Sequence, residues 1–147
     1  MDRPSRSYSG IMPRVGKDKA AAPKPKLLIV DDDRAFVVLA AAILRDAGFM
    51  VLEAHDAMQG YMFAQQSPPQ VILLDMQMPA GGGLNFLQKV QAIPRLSRIP
   101  IIIVTASTDD GLDELVRSKG AAALLLKPID RDRLLDLVNQ VLTPSVE

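Results

Sequence analysis

The chain has 147 residues, no cysteine, and equal numbers of basic and acidic side chains, 17 of each. This length suits one domain with a proper core, and the lack of cysteine excludes disulfides, thiolate zinc sites and cysteine nucleophiles. No apolar stretch reaches the roughly 18 residues of a membrane span and no secretory signal is present, so we expect a cytoplasmic protein with no membrane partner.

The charge is unevenly distributed along the chain. Residues 1–26 contain seven basic and two acidic residues, a net charge of +5, whereas residues 27–147 contain ten basic and fifteen acidic residues, a net charge of −5. Residues 1–25 are rich in Pro, Ser, Gly, Ala and Lys without periodicity, which predicts a disordered N-terminal arm. The acidic body argues against nucleic acid as its main partner.

Strand-like and helix-like segments alternate after this arm. The strands are mostly continuous apolar runs, which is typical of parallel strands covered on both faces. We therefore predict an α/β domain over residues 26–143, a doubly wound five-stranded parallel sheet of flavodoxin-like order 2-1-3-4-5, followed by a short tail, 144–147. The predicted strands are 27–31, 50–54, 70–75, 100–105 and 122–126, and the predicted helices are 34–47, 56–66, 84–93, 109–119 and 130–142.

Polar side chains follow four of the predicted strands. They are Asp31, Asp32 and Asp33 after the first strand, Asp75 at the end of the third, Thr105 and Ser107 on either side of Ala106 at the fourth, and Lys127 after the fifth. The carboxyl ends of parallel strands meet at one edge of a sheet, where α/β folds place their sites. We therefore expect Asp31, Asp32 and Asp75 to lie together.

Such a cluster of acids needs a counter-charge, because two carboxylates about 4 Å apart repel by roughly 4 kcal/mol at an effective dielectric near 20. Mg²⁺ prefers an all-oxygen site of this kind, and Lys127 adds a second cation. The combination indicates phosphoryl transfer, with Asp75 as the nucleophile that forms an acyl phosphate. Thr105 is a neutral donor for a phosphoryl oxygen.

Several other residues have plainer interpretations. Asp33 is the better candidate for the cap of the first helix. The run 81–83 is predicted to be a flexible turn, because no GK[ST] follows it. His55 is interpreted as a surface residue, and four methionines are interpreted as packing residues, namely Met58, Met62, Met76 and Met78.

Four segments together resemble the receiver domain of two-component response regulators. They are Leu28–Asp33, Leu73–Pro79, Val104–Ala106 and Leu126–Pro128. The resemblance covers about residues 27–142. It implies that Asp75 accepts a phosphoryl group from a histidine on a partner, either a sensor histidine kinase or a histidine phosphotransfer protein.

The resemblance also implies roles for the neighbouring residues. Asp32 and Asp75 would bind Mg²⁺ directly, the backbone carbonyl of Gln77 would be a third ligand, and Asp31 would assist, often through water. Thr105 matches the switch hydroxyl of the family, Lys127 matches its phosphate-pairing lysine, and Ala106 lies in the same switch segment. Gln77 and Ser107 occupy the variable positions that tune autodephosphorylation in the family.

The sequence departs from the family at Leu124. Receivers commonly have Tyr or Phe three residues before the lysine, so an aromatic rotamer switch is absent from this position. Rearrangement around the fourth and fifth helices would then depend on Thr105 and the loop after it.

Two alternatives to a phospho-accepting receiver stay open. An aspartate-nucleophile phosphatase of the haloacid-dehalogenase type would need an acid two residues after Asp75, where this chain has Gln77. The other alternative is a scaffold that acts without phosphorylation. Leu124 is in favour of this alternative, and the presence of the three acids, Thr105 and Lys127 is evidence against it.

The expected output is a change in contact with an unknown downstream protein, because no DNA-binding segment follows the last predicted helix. We therefore expect no direct DNA binding and no enzymatic activity beyond the chain's own phosphorylation and dephosphorylation. A phosphorylation-dependent homodimer stays open as a further form of output.

Overall fold

Five strands and five α-helices alternate through residues 24–143, which are the residues that the computed structural model describes. The strands are β1 Lys26–Val30, β2 Met50–Ala54, β3 Val71–Asp75, β4 Ile101–Thr105 and β5 Ala123–Leu126, and the helices are α1 Arg34–Asp46, α2 Ala57–Gln66, α3 Gly82–Gln91, α4 Leu112–Ser118 and α5 Arg131–Leu142. The predicted arm and tail lie outside the described residues, apart from residues 24 and 25. None of the described helices has the length and apolar composition needed to cross a membrane.

The strands form one parallel sheet with the order β2-β1-β3-β4-β5. This confirms the predicted doubly wound α/β fold and its strand order. Arg45 covers part of the free edge of β2, because its guanidinium donates a hydrogen bond of 3.0 Å to the backbone oxygen of Val51 and pairs with Glu53 at 2.9 Å. A charged side chain on an edge strand hinders pairing with another chain.

Two apolar layers cover the sheet, one on each face. Alternate residues of a strand point to opposite faces, so Leu27 and Ile29 face α1 and α5 whereas Leu28 and Val30 face α2, α3 and α4. All four side chains are fully buried. Each such side chain contributes on the order of 1.5–3 kcal/mol relative to exposure, so the two layers fix the sheet rigidly between the helices.

The register of the strands aligns their carboxyl ends. Val30 pairs with Leu74, Asp75 pairs with Val104, and Thr105 pairs with Leu126. The ladder continues past β5, because the backbone N–H of Lys127 donates to the oxygen of Thr105 at 2.8 Å. The residues that follow these strands therefore emerge side by side at one edge.

The predicted start of α4 is wrong. The helix begins at Leu112 rather than at residue 109, and Gly111 before it has a positive φ of 79°. The hydroxyl oxygens of Thr105 and Ser107 accept backbone N–H groups two residues further on, at 3.1 and 3.2 Å. Such local bonds compete with the helix, so the acids of the first turn are Asp113 and Glu114 and not Asp109 and Asp110.

The start of α3 also differs from the prediction. A 3₁₀ turn over Pro79–Gly81 leads into α3 at Gly82, two residues earlier than predicted. Gly83 lies so close to β3 that an added Cβ would be 2.6 Å from the backbone oxygen of Asp75. The predicted flexible turn is therefore partly the first turn of a helix that requires glycine where it passes the strand.

The remaining differences are small. β1 ends at Val30 rather than at residue 31, α1 ends at residue 46, and α5 begins one residue later than predicted, after its N-cap Asp130. The packing prediction is wrong for Met58 and Met62, which are 74% and 48% exposed, whereas Met78 is buried. His55 is half-buried rather than freely exposed.

Candidate functional site

Three carboxylates meet at the carboxyl edge of the sheet. Asp31 and Asp32 follow β1, Asp75 ends β3, and one oxygen from each lies within 4.8 Å of the others. Asp31 is 1% exposed and Asp75 is 4% exposed, whereas Asp32 is open to solvent. The structure thus brings together the three acids that the strand pattern predicts at one edge.

Backbone N–H groups hold the two buried carboxylates in place. The N–H of Asp33 donates to Asp31 Oδ1 at 2.8 Å, and the N–H of Gln77 donates to Asp75 Oδ1 at 3.0 Å. In both cases the carboxylate accepts the backbone N–H of the residue two positions further along the chain, which forms a local turn that aspartate favours. Each turn fixes one oxygen of its acid without ordering a long side chain.

Lys127 provides the positive charge within this cluster. Its Nζ lies 3.0 Å from Asp31 Oδ2 and 3.6 Å from Asp33 Oδ2, and it is 4.6 Å from the centre of the Phe36 ring. Burial lowers the pKa of Lys127, but the hydrogen bond and charge of Asp31 raise it, with Asp75 and Asp33 adding to the effect. The net pKa is raised, so Lys127 is a cation at physiological pH.

The acids themselves have different electrostatic environments. Burial raises the pKa of Asp75; the Gln77 N–H opposes this change, and the charge of Asp31 adds to it, so the net pKa is raised. The pKa of Asp33 is lowered because its carboxylate accepts the N–H of Phe36 at 3.1 Å, which confirms Asp33 as the cap of α1.

A divalent cation fits the donor set of this cluster. Asp31 Oδ2 is buried, and the Lys127 ammonium is 3.0 Å from it. The three acids carry three negative charges when they are ionised, and Lys127 balances one of them. Carboxylate oxygens are the ligands that Mg²⁺ prefers, so Asp31, Asp32 and Asp75 suit it chemically.

Thr105 lies on the other side of the cluster from β1, at the end of β4. Its side chain is 1% exposed, and its Oγ1 accepts the backbone N–H of Ser107 at 3.1 Å. The hydroxyl hydrogen is left free for another acceptor, since the bond to Ser107 uses a lone pair of the oxygen.

Comparison with known proteins decides the family. The family model described as "Response regulator receiver domain" matches residues 27–139. The chain belongs to the response regulator receiver domain family. It is therefore a receiver domain of two-component signalling systems.

Individual relatives agree with this assignment. The receiver is 33% identical to Protein PilH of Pseudomonas aeruginosa over 117 residues, 80% of this chain and 97% of that protein. It is 32% identical over 120 residues to the DNA-binding dual master transcriptional regulator RpaA of Synechocystis, covering 80% of this chain but 49% of that protein. Among solved structures, the chemotaxis protein CheY4 of Vibrio cholerae matches with a TM-score of 0.76 and 28% identity, over 81% of this chain and 99% of that one.

The remaining predicted site residues of the receiver are Gln77, Ala106, Ser107 and Leu124. Gln77 and Ala106 are exposed, and Ser107 is half-buried. Leu124 is half-buried on β5 and lies in a shallow pocket beside Asp113, away from the three acids.

Two features of the receiver site escaped sequence reasoning. Asp33 contacts Lys127 as well as capping α1, and the ring of Phe36 lies under the lysine ammonium. Phe36 lies within the predicted helix 34–47 and is not among the predicted site residues. The sequence places Phe36 three residues after the N-cap of α1. Side chains of a helix tilt towards its N-terminus, so a residue in this first turn points back towards the end of β1.

Proposed function

We propose that this receiver accepts a phosphoryl group on Asp75 from a histidine of a partner protein. In this reaction the P–N bond to the histidine breaks and a P–O bond to the Asp75 carboxylate forms, giving an acyl phosphate and a free imidazole. The observation that carries the proposal is the position of Asp75, a buried carboxylate within 4.8 Å of two further acids and close to a lysine at the open edge of the sheet. Carboxylates serve as nucleophiles that form aspartyl phosphate, and coordination of a metal ion is one way in which a nucleophile is activated.

Mg²⁺ is the proposed cofactor. Asp31, Asp32 and Asp75 would hold it, with the backbone carbonyl of Gln77 as a further ligand. The chemistry that Mg²⁺ supplies when bound is neutralisation of the charge on the phosphoryl group. The charge of the cluster supports this proposal, because three acids with oxygens within 4.8 Å of one another are accompanied by the single ammonium of Lys127, and buried charges need compensating partners.

Lys127 and Thr105 would respond to the new phosphoryl group. Lys127 is held by Asp31 at 3.0 Å, and an added dianion beside it offers the ammonium a second partner. Thr105 would donate its hydroxyl hydrogen to a phosphoryl oxygen. Because Thr105 Oγ1 also accepts the N–H of Ser107, a movement of Thr105 would pull on the loop between β4 and α4.

The proposed partners follow from the family. The donor is a sensor histidine kinase or a histidine phosphotransfer protein in the cytoplasm, and the output is a changed contact with another protein, without direct DNA binding by these residues. Gln77 and Ser107 would tune the lifetime of the phosphoryl group, and rearrangement would proceed through Thr105 without an aromatic switch, because Leu124 stands at that position. On this proposal the receiver is a signalling module and not an enzyme that acts on other substrates.

The proposal can be tested by intact mass spectrometry after incubation with acetyl phosphate. We expect a Mg²⁺-dependent phosphoryl adduct on the wild-type protein and none on Asp75→Asn. A folded wild-type protein that gains no adduct with Mg²⁺ present would contradict the proposal and favour the phosphorylation-independent scaffold.

A further inference from the structure

Asp33 has a second carboxylate oxygen that the cap of α1 does not use. Its Oδ1 accepts the backbone N–H of Phe36 at 3.1 Å, and this contact caps the helix. Its Oδ2 lies 3.6 Å from the ammonium of Lys127. Because the cap holds Oδ1, the carboxylate cannot turn freely, and Oδ2 stays directed at the lysine. Asp33 therefore makes a contact that its position at the start of a helix does not require.

Asp31, Asp33 and Lys127 contact one another in a closed set. The backbone N–H of Asp33 donates to Asp31 Oδ1 at 2.8 Å, and the Lys127 ammonium lies 3.0 Å from Asp31 Oδ2. The two carboxylates that share the ammonium differ in exposure, since Asp31 is buried whereas Asp33 is open to solvent. The lysine thus has one buried partner inside the acid cluster and one exposed partner outside it.

The ammonium of Lys127 is paired with these two acids and not with the phosphoacceptor. Within residues 24–143, the ion pairs of Lys127 are those with Asp31 and Asp33. The charge of Asp75 still contributes to the raised pKa of Lys127, so the ammonium lies close enough to Asp75 for electrostatic interaction without direct pairing. Lys127 is therefore held on the side of the site where β1 ends and α1 begins.

We propose that Asp33 is a positioning residue that holds Lys127 away from the phosphoacceptor and thereby slows the phosphorylation of Asp75. This inference rests on the proposed function of Asp75, in which Lys127 pairs with the transferred phosphoryl group. To reach that group, the ammonium gives up its contact with Asp33. Asp33 and the phosphoryl group therefore compete for one cation, and the strength of the Asp33 contact decides how readily the cation is released.

The size of the effect follows from the exposure of Asp33. Its side chain is 48% exposed, and an ion pair with an exposed partner changes an equilibrium constant by a factor of about two to five. An interaction that is present in the free protein and lost in the transition state slows the reaction by the same factor. Removal of the Asp33 charge should therefore raise the second-order rate constant of phosphorylation about two- to fivefold.

Two substitutions separate the charge of Asp33 from its role as a cap. Asp33→Asn keeps a favoured N-cap residue and removes the charge, whereas Asp33→Glu keeps the charge on a residue that is not a favoured N-cap. Asp56→Asn is the matched control, because Asp56 is the exposed N-cap of α2 and its carboxylate accepts the N–H of Gln59. The rate is measured with acetyl phosphate and Mg²⁺ by intact mass spectrometry, and urea denaturation reports that each variant is folded.

We expect Asp33→Asn to be phosphorylated about two- to fivefold faster than the wild type. Asp33→Glu and Asp56→Asn should stay within about 1.5-fold of the wild-type rate, because the first keeps the charge and the second removes a screened charge away from Lys127. A rate for Asp33→Asn at or below that of the wild type, or an equal rise in either other variant, would overturn the proposal while the function of Asp75 stands. If the folded wild-type protein is not phosphorylated at all, both proposals are overturned.

Discussion

Replacing Asp75 with asparagine should make the folded receiver more stable when Mg²⁺ is absent. The oxygens of Asp75 and Asp31 lie within 4.8 Å of each other, a separation at which two charges repel by roughly 3.5 kcal/mol at an effective dielectric near 20. Attraction to Lys127 offsets part of this repulsion. Asparagine keeps an oxygen that can accept the Gln77 N–H, so we expect a net gain of about 1–2 kcal/mol in the free energy of unfolding.

The pH dependence of this gain has a definite sign. The pKa of Asp75 in the folded protein is raised above its ordinary value of 3.8. A raised carboxyl pKa means that the folded state holds the proton more tightly than the unfolded state, so stability is lost as the pH rises through the folded pKa. The advantage of Asp75→Asn should therefore be full above the pKa of Asp75 in the folded protein and should disappear as the pH falls below 3.8.

Urea denaturation in the presence of a chelator measures the effect. The midpoint of Asp75→Asn should lie about 0.5–1 M above that of the wild type, and added Mg²⁺ should narrow the difference because it stabilises the wild type more. Asp136→Asn controls for the loss of one negative charge, since Asp136 is exposed on α5. A midpoint for Asp75→Asn at or below that of the wild type would refute the electrostatic reasoning.

Three further substitutions test how the site is held. Gly83→Ala should lower the free energy of unfolding by about 2–3 kcal/mol, because the added Cβ would meet backbone atoms of β3 and of the residue after it. Gly82→Ala is the control and should be neutral or stabilising, because the nearest contact of its Cβ is a side-chain atom at 3.4 Å. Equal urea midpoints for the two variants would contradict this reasoning. Asp33→Ala should lower the free energy of unfolding by about 1 kcal/mol, because the N-cap of α1 is lost. Asp33→Asn should keep most of the wild-type stability in the same assay, because asparagine is also a good N-cap. Lys127→Met should lower the free energy of unfolding by about 2 kcal/mol, because it leaves the buried Asp31 without its cation. The double variant Lys127→Met with Asp31→Asn should recover much of this loss. No recovery would argue against the ion pair as the cause.

The sheet edge was predictable because each strand is a buried apolar run with polar residues directly after it. In a parallel sheet the strand order decides which of these ends are neighbours. Asp31, directly after β1, and Asp75, at the end of the adjacent β3, could therefore be placed together from the sequence. The short turns that follow the strands leave little freedom for the acids. The acid cluster is thus a consequence of secondary structure and topology alone.

The start of α4 and the apolar groove beside α1 could not be predicted in the same way. Two hydroxyl groups, those of Thr105 and Ser107, take backbone N–H groups after β4 and delay the helix, and sequence periodicity does not report such local competition. The groove combines residues from α1 and from the segments after β4 and β5, which are far apart in the chain. Its apolar character depends on which face of α1 stays open, and that face is decided by tertiary packing.

Locating the phosphoryl group on the chain tests the central claim most directly. After incubation with acetyl phosphate and Mg²⁺, borohydride reduction would convert an acyl phosphate of aspartate into homoserine, and peptide mass spectrometry would identify its position. The account predicts homoserine at residue 75 and unmodified Asp31, Asp32 and Asp33. Homoserine at another residue, or none at residue 75 in a folded protein, would contradict it.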